Sequence, residues 1–405
     1  MGIIEARFLE VGLEPPGGLM NFALNEEHDL LIRSVKHFVE KELYPHEEEV
    51  ERTSKVRPEL AQEIIRKAKA MGFYAANMPE ELGGGGLDSL SLVLFEKELG
   101  KANYGLQMFV ARPSNILQAC QGEQIERYLL PTIRGERIDC IAMSEPNAGS
   151  DLRGMQTKAV REGDRYIING TKHFISHADV ADYVILFAAT GEEKTVRGLK
   201  KKITSFLVDK GTPGFSVQQG YEMVSHRGYH NCILQFDNCA VPVENILGQE
   251  HQGFETANLW LGSTRLQVAA TCLGRGERAL DLAKSWAATR EQFGQKIGKF
   301  QGVSFKLADM YLRLEAAELL TLKAAWRHDQ GIAKDEDFAV AKLAASEMLA
   351  YVSDEAIQIF GGMGLASENP LERIWRDARV ERIWDGTSEI QRHIISRALL
   401  RPLEG

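Results

Sequence analysis

The sequence of 405 residues has no apolar run near the roughly 18 residues that a membrane-spanning helix needs. It has no low-complexity tract, and a net charge of −9 argues against nucleic acid or an anionic membrane surface as the main partner. Five scattered cysteines without a CxxC pair predict reduced thiols in a cytoplasmic protein. Glu5, Glu10 and Glu14 make the N-terminus unlike a signal peptide or a mitochondrial presequence.

What is present is an ordinary globular composition, 44% hydrophobic and 26% charged, in a chain long enough for more than one domain. Helical periodicity starts at the potential cap Asn25, and short β-rich segments replace it between residues 138 and 248. Long amphipathic helices return after Gly253. The predicted organisation is an N-terminal arm (1–21), a helical domain (22–137), a β domain (138–250) and a second helical domain (251–405).

Several local predictions can be checked directly against a structure. One helix is predicted at Gln107–Cys120, and Asn169-Gly170 predicts a type I′ turn in a hairpin between Tyr166–Ile168 and Thr171–Ser176. Lys200–Lys202 is interpreted as a solvated loop. Gly83–Gly86 is interpreted as a plain turn, because no Lys-Ser/Thr follows it as in a phosphate loop. His173 and His177 would not converge on a metal from a strand, so no metal site is predicted.

The most informative segment lies near the C-terminus, where Arg376–Arg379 is followed by Trp384–Gln391. It contains an Asp-Gly turn, a capping hydroxyl and a lone carboxylate, Asp385, just ahead of a helix start. From the residues alone, Asp385 is either a first-turn cap or a base. The segment resembles the Arg-Asp-Ala-Arg … Glu-Gly-Thr-Ser-Glu-Ile-Gln signature of the acyl-CoA dehydrogenases, FAD enzymes that oxidise acyl thioesters at Cα–Cβ.

The resemblance covers essentially Phe22 to Leu403 and implies the fold class. We expect an α+β, mostly α, protein with an N-terminal helical domain, a middle β-barrel-like domain and a C-terminal four-helix bundle. It also implies FAD as the cofactor, acyl-CoA as the substrate and an electron-transferring flavoprotein as the electron acceptor. Cofactor sites shared between subunits in relatives imply a homo-oligomer, either a dimer or a tetramer.

Two motifs are expected to hold the flavin ring. The loop at Ala142–Asp151 offers backbone N–H groups and two hydroxyls, and it is similar to the family's Thr-Glu-Pro-x-Ala-Gly-Ser-Asp motif. Asn169–Ser176 resembles the family's Asn-Gly-x-Lys-x-Trp-Ile-Thr strand, with Phe and Ser in place of Trp and Thr. By this resemblance the Met143 backbone and Ser144 contact the flavin ring, Phe174 lies against the ring and Ser176 bonds its edge. Gly149 is expected to contact the cofactor, and Ser150 is expected near the CoA or FAD phosphates.

Two further motifs are expected at the FAD phosphates. Arg290–Gly294, with Gln301 after it, resembles a family motif whose Arg and Phe reach the FAD of a neighbouring subunit. The run from Gln358 through Gly361 and Gly362 resembles the glycine turn that approaches the pyrophosphate. The resemblance therefore assigns cofactor contacts to Arg290, Phe293, Gln301, Gln358, Gly361, Gly362, Thr387 and Glu389. Glu389 stands where many relatives carry Gln.

The catalytic base follows from the same resemblance. Relatives place it either before the Gly-Thr pair or on a helix ahead of an arginine, and the second position here is Thr264-Arg265, which has no carboxylate. Asp385 is therefore the predicted base in a position that usually holds Glu, with Arg265 and Gly386 at the substrate. Asp is shorter by one methylene, and a misplacement of about 1 Å can cost on the order of a hundredfold in rate.

Arg112 is a candidate contact for a polar acyl group, although a structural role is the stronger interpretation.

The sequence leaves three functions open. The first is an acyl-CoA dehydrogenase that forms a trans-2-enoyl-CoA. The second is a flavin oxidase of the same fold acting on a non-thioester substrate with O2. The third is a CoA-ester-binding flavoprotein with little catalysis.

Overall fold

The structure is a computed structural model that describes residues 23–110, 113–195 and 198–403. The predicted N-terminal arm lies outside the described residues. Asn25 caps the first helix, as predicted, and its Oδ1 accepts a hydrogen bond from the His28 amide at 2.8 Å. The helices of the first region are α1 (Glu26–Phe38), α2 (Glu47–Thr53), α3 (Pro58–Ala70), α4 (Ser89–Leu99), α5 (Tyr104–Val110) and α6 (Leu130–Ile133).

The prediction of one helix at Gln107–Cys120 was wrong. Helix α5 ends at Val110, and a short 3₁₀ segment forms at Asn115–Ala119. Pro113 has no N–H for a helical hydrogen bond and disfavours helical backbone in the residue before it, which explains the interruption. The glycines at 83 and 86 adopt positive φ in a turn, as expected.

The middle region is a twisted, mostly antiparallel sheet. Its strands are β1 (Asp139–Ala142), β2 (Lys158–Glu162), β3 (Arg165–Ser176), β4 (Tyr183–Thr195), β5 (Gly198–Asp209), β6 (Phe215–Gln218), β7 (Asn231–Pro242) and β8 (Ile246–Leu247). The order is β6-β7-β3-β2-β4-β5-β8, and β1 pairs with β4 in parallel. One face of this sheet forms its own apolar core around buried Tyr166, Phe206 and Phe236.

The predicted hairpin at Asn169-Gly170 was wrong. Both residues lie inside the continuous strand β3, where the pairing with β7 shifts register between Ile168 and Gly170. Gly170 has φ +155°, and a Cβ there would lie 2.4 Å from Thr157 Oγ1. The glycine therefore marks a bulge with a close neighbour rather than a turn.

Lys200–Lys202 was also misassigned as a loop. These lysines belong to β5 and pair across to β4, where Lys200 Nζ lies 2.9 Å from Glu193 Oε1. Opposite charges on facing strand positions support the pairing.

The C-terminal helices are α7 (Gly253–Thr289), α8 (Gln301–Asp329), α9 (Asp335–Phe360), α10 (Pro370–Glu381) and α11 (Ser388–Leu400), and a two-stranded ribbon joins β9 (Glu291–Gln292) to β10 (Gln295–Lys296). Their shared core is rich in Ala and Leu, and it also takes in Val93 from α4. A helical region, a sheet and a second helical region follow one another as expected. Within the described ranges, no helix is long and apolar enough to cross a membrane.

Candidate active site

A cavity of about 950 Å³ opens where the helical regions meet the sheet. Its walls come from α4 and α5, from β1 and the loop after it, from the end of β3, from α7 and from the segment between α10 and α11. Many of the predicted site residues line it, and we call them the cavity group: Met143, Ser144, Gly149, Ser150, Phe174, Ser176, Arg265, Asp385, Gly386 and Thr387.

The turn that carries Asp385 is built by its own helix. Thr387 is the cap of α11, and its hydroxyl accepts a hydrogen bond from the Ile390 amide at 3.2 Å. Asp385 is therefore not the helix cap. It has φ +51° and Gly386 has φ +93°, left-handed conformations that Asp and Gly tolerate best. Gln391 Nε2 donates to the carbonyl oxygens of Asp385 at 3.1 Å and Gly386 at 2.9 Å, which fixes this conformation.

Two tyrosines and two cations surround the carboxylate. Burial, together with the nearby charge of Asp385, raises the pKa of Tyr104 and of Tyr229 well above the ordinary value. Burial lowers the pKa of Arg265 and of Lys342. The attraction of Asp335 and then of Asp385 partly offsets this for Arg265, and that of Asp385 does so for Lys342. Asp385 thus lies near both buried phenols and buried positive charge, and nearby positive charge favours the ionised form of a carboxylate.

Behind this turn lies a buried ionic network. Arg275 donates to Glu381, and His226 Nε2 lies 3.1 Å from the same carboxylate. Burial would raise the pKa of Glu381, but Arg275, His226 and Trp384 together outweigh it, so the pKa is lowered. Trp384 Nε1 donates to Glu381 at 2.7 Å, and Tyr104 stacks on His226 with ring centroids 4.4 Å apart. The residue directly before Asp385 is therefore anchored in the core.

Sequence reasoning missed the support beneath the loop at Ala142–Asp151, which the resemblance assigns to the flavin and which we call the flavin loop. Lys172 is fully buried, and its Nζ donates to the carbonyl oxygen of Met143 at 2.9 Å and to Glu145 Oε1 at 2.8 Å. Glu145 also accepts from the amide of Thr157 at 3.0 Å. Burial lowers the pKa of Lys172 to about 8, although Glu145 acts in the opposite direction. The signal was available as the lysine of the Asn-Gly-x-Lys motif, inside an apolar strand.

The far end of β3 presents an aromatic ring to the cavity. Phe174 has φ +53° and is 45% exposed, with its ring centroid 4.9 Å from that of Tyr221. Ser176 Oγ donates to Asn231 Oδ1 at 3.2 Å. His173 Nδ1 is buried without a hydrogen-bond partner, and a Cβ built on Gly149 meets open space. An open, glycine-containing loop with hydroxyls and an unused buried nitrogen fits a flat heterocycle that has polar edges.

Six other predicted cofactor residues lie outside the cavity, on exposed surface. We call them the surface group: Arg290, Phe293, Gln301, Gln358, Gly361 and Gly362. None of them is among the described residues that line the cavity. Phe293, at the tip of the β9–β10 ribbon, is 93% exposed.

The two sequence motifs of the surface group meet in space. The guanidinium of Arg290 lies over the ring of Trp286, 5.8 Å from its centroid. Trp286 in turn stacks on Phe360, with centroids 4.7 Å apart and planes 14° apart. Phe360 directly precedes Gly361, which has φ +64°. The arginine and the glycine turn therefore form one surface, although about 70 residues of chain separate them in the sequence.

Two predicted residues fall outside both groups. Glu389 is exposed in the first turn of α11, where its own backbone amide and Thr387 lower its pKa. Arg112 lies outside the described residues. Over the described parts of the chain, no cluster of His, Cys, Asp and Glu could hold a metal ion.

Comparison with known proteins identifies the family. Family descriptions match the chain in succession: the acyl-CoA dehydrogenase N-terminal domain over residues 25–136, the middle domain over 140–239 and the C-terminal domain over 251–400. The chain belongs to the acyl-CoA dehydrogenase family. The mitochondrial short-chain specific acyl-CoA dehydrogenase of Homo sapiens is 40% identical over 384 residues, which cover 93% of this chain and 91% of that protein.

Solved structures agree with this assignment. Butyryl-CoA dehydrogenase from Megasphaera elsdenii superposes with a TM-score of 0.86 at 36% identity, covering 94% of this chain and all of that one. A glutaryl-CoA dehydrogenase from Mycobacterium smegmatis, in complex with FADH2, gives 0.84 at 26% identity, covering 93% and 95%. The predicted fold class is confirmed. The predicted enzyme class, an FAD-dependent oxidoreductase of the acyl-CoA dehydrogenase family, is confirmed as well.

Proposed function

We propose that this enzyme oxidises an acyl-CoA thioester to the trans-2-enoyl-CoA, with Asp385 as the base that removes the α-proton. The observation that carries the proposal is the convergence of the cavity group on one space, with Asp385 facing it from a turn that hydrogen bonds hold rigid. Buried cations beside the carboxylate favour its ionised form. A carboxylate held in such a cavity is suited to abstracting a weakly acidic proton.

FAD fits the cavity group as cofactor, and when bound it supplies the acceptor for the hydride that leaves Cβ. Met143, Ser144 and Ser176 would meet the edge of the flavin, and Phe174 its face. Lys172 would keep the loop of Met143 and Ser144 in place by its hydrogen bond to the Met143 carbonyl. The relative that is described in complex with FADH2 supports this choice of cofactor.

The surface group points to a site completed by a second copy of the chain. Arg290, Phe293 and the glycine turn are exposed and do not line the cavity, so an arginine that clamps a phosphate from this position would reach a cofactor held by another chain. We therefore propose a homo-oligomer, a dimer or a tetramer, in which each surface group faces the FAD held by a neighbour. An electron-transferring flavoprotein is the proposed electron acceptor.

The test is an anaerobic titration of the purified holoprotein with short, medium, branched and dicarboxylic acyl-CoAs, followed at the flavin band near ~450 nm. The proposal predicts bleaching by at least one class of thioester. The names of relatives favour the short-chain thioesters. If no thioester bleaches the flavin while an added substrate drives rapid peroxide formation in air, the protein is an oxidase and the proposal fails. Ligand-induced spectral shifts without reduction would point instead to a binding protein.

A further inference from the structure

Lys342 is a buried cation that the proposed reaction does not yet explain. It lies on α9, and its side chain has no exposed surface. It is not among the residues that line the cavity, so it does not meet the substrate. Its Nζ donates to the carbonyl oxygen of Gly386 at 2.8 Å. Burying an ammonium group is costly, and one hydrogen bond to a neutral carbonyl does not account for the choice of a lysine here.

That carbonyl already has another donor. Gln391 Nε2 lies 2.9 Å from the same Gly386 oxygen and also binds the carbonyl of Asp385. A Cβ on Gly386 would lie 2.6 Å from this Gln391 nitrogen, so the turn packs closely against its donors. Gly386 O could therefore be satisfied without Lys342. What Lys342 adds is a positive charge directly behind the turn of the base.

The charges around Lys342 indicate which group this cation stabilises. After burial, which lowers the pKa of Lys342, the largest influence is the attraction of Asp385, ahead of Cys272 and Glu381. Glu381 has its own partner in Arg275. The groups that face Asp385 are Tyr104 from α5, Tyr229 from the segment between β6 and β7, Arg265 from α7 and Lys342 from α9.

We infer that Lys342 is a positioning residue for the base: it holds the Asp385–Gly386 turn from behind and keeps the carboxylate ionised. The inference rests on the proposed function, because it concerns Asp385 as a base. It explains how a shorter carboxylate works in a position where relatives carry Glu. The Asp side chain has less reach, so its backbone must be held more firmly and its charge supported from the protein side.

The first experiment compares Lys342→Met with Lys342→Arg, using Lys323→Met on exposed surface as the matched control. With an acyl-CoA that bleaches the wild-type flavin, K342M is expected to lower kcat by about 10- to 100-fold with KM nearly unchanged. Without the cation, the acidic limb of the rate–pH profile is expected to move up by about one pH unit. K342R should keep the limb in place, and K323M should behave as wild type.

The second experiment separates the charge from the hydrogen bond. Gln391→Leu removes a neutral donor from the same turn, so it should speed amide hydrogen exchange at residues 385–388 without moving the acidic limb. K342M should speed the same exchange and move the limb as well. The amide-exchange measurement uses the substrate-free holoenzyme. It therefore reports on the Asp385–Gly386 turn whether or not a substrate has been found.

An acidic limb and kcat equal to wild type in K342M overturn the inference. If K342M does not fold, Lys342→Gln carries the same test, because it keeps a donor and loses the charge. A wild type that no thioester bleaches defeats the proposed function instead. In that case amide exchange decides the positioning role alone, and wild-type exchange rates at residues 385–388 in K342M overturn it.

Discussion

The cavity group and the surface group belong, by resemblance, to one cofactor site, yet the fold treats them in opposite ways. Asp385 and Met143 are tied into the interior by buried partners such as Gln391 and Lys172. Phe293 and the glycine turn are presented to the outside, with Phe293 almost wholly exposed. Under the proposed function, a single chain supplies the contacts to the flavin ring and the base, whereas the motif proposed to bind the phosphates lies outside the cavity.

This difference separates two requirements of the proposed reaction, a fixed base and a held cofactor. Proton abstraction needs a base fixed to within a fraction of an ångström, and the buried supports of the base turn provide that within one subunit. Holding a cofactor tail needs charge and hydrogen-bond donors, which a neighbouring subunit can supply. Substitutions at Asp385 and Arg290 alter one group each and leave the other intact.

The largest effect is expected from Asp385→Asn in the cavity group. The amide is nearly isosteric but cannot take a proton, so flavin reduction by the best acyl-CoA should slow by about 10²- to 10⁴-fold. FAD content should stay at the wild-type level, because the turn keeps its hydrogen bonds to Gln391. The reductive half-reaction, followed by stopped flow, measures this. Bleaching that survives at the wild-type rate would move the base elsewhere.

Arg290→Met in the surface group should act on the cofactor instead. Loss of a charge-assisted contact to a phosphate is expected to weaken FAD binding by about 10- to 100-fold, with no change in the acidic limb of the rate profile once FAD is saturating. Equilibrium dialysis of the apoprotein with FAD measures the affinity. The matched control is Arg52→Met, because Arg52 is also an exposed arginine and lies on α2, in a different part of the chain. An unchanged FAD affinity in R290M would remove the surface group from the site.

Raising the pH above 8 should weaken the hydrogen bond by which Lys172 holds the flavin loop. In the folded protein Lys172 loses its proton near pH 8, whereas the unfolded chain keeps it up to the ordinary value of 10.5. Between these values the unfolded state binds more protons, so the contribution of Lys172 to the free energy of unfolding rises with pH. FAD affinity should nevertheless fall by roughly threefold to tenfold, because the bond to Met143 weakens.

Flavin fluorescence titrations on either side of pH 8 measure this change. Lys172→Met should bind FAD more weakly at lower pH and lose the step. A fall in affinity of equal size in K172M would show that another group is responsible.

The smallest effect is expected from Glu389→Gln. Glu389 is exposed and does not line the cavity, so the change should alter FAD affinity by less than about twofold. The same dialysis measures it, with R290M as the positive reference. A loss comparable to that of R290M would place Glu389 on the cofactor.

Much of the fold was predictable because the apolar periodicity of the long helices and the caps at Asn25 and Thr387 are local signals. The errors arose where tertiary context overrode a local pattern. Asn169-Gly170 is a strong turn signal, but the close approach of Thr157 makes it a bulge within a strand. Lys200–Lys202 appeared solvated because the acidic residues that face them lie on another strand.

The candidate site was predictable to the extent that its residues lie in motifs. Asp385 and the flavin loop come from continuous segments, and the structure brings them to one cavity. Lys342 could not be assigned from the sequence, because a single lysine in the apolar stretch of α9 reads equally well as a surface residue. Only the packing of α9 against the base turn reveals its partner.

The most direct test of the shared site is complementation between a variant that lacks the base and a variant that binds FAD weakly, assayed at an FAD concentration too low to fill R290M. D385N and R290M are each purified, and mixed oligomers are formed by co-expression with two different tags. If each site takes its base from one subunit and its arginine from the neighbour, about a quarter of the sites in randomly mixed dimers are intact. The account predicts that acyl-CoA-dependent flavin reduction returns in the doubly tagged species. Doubly tagged oligomers that remain as inactive as D385N alone would contradict it.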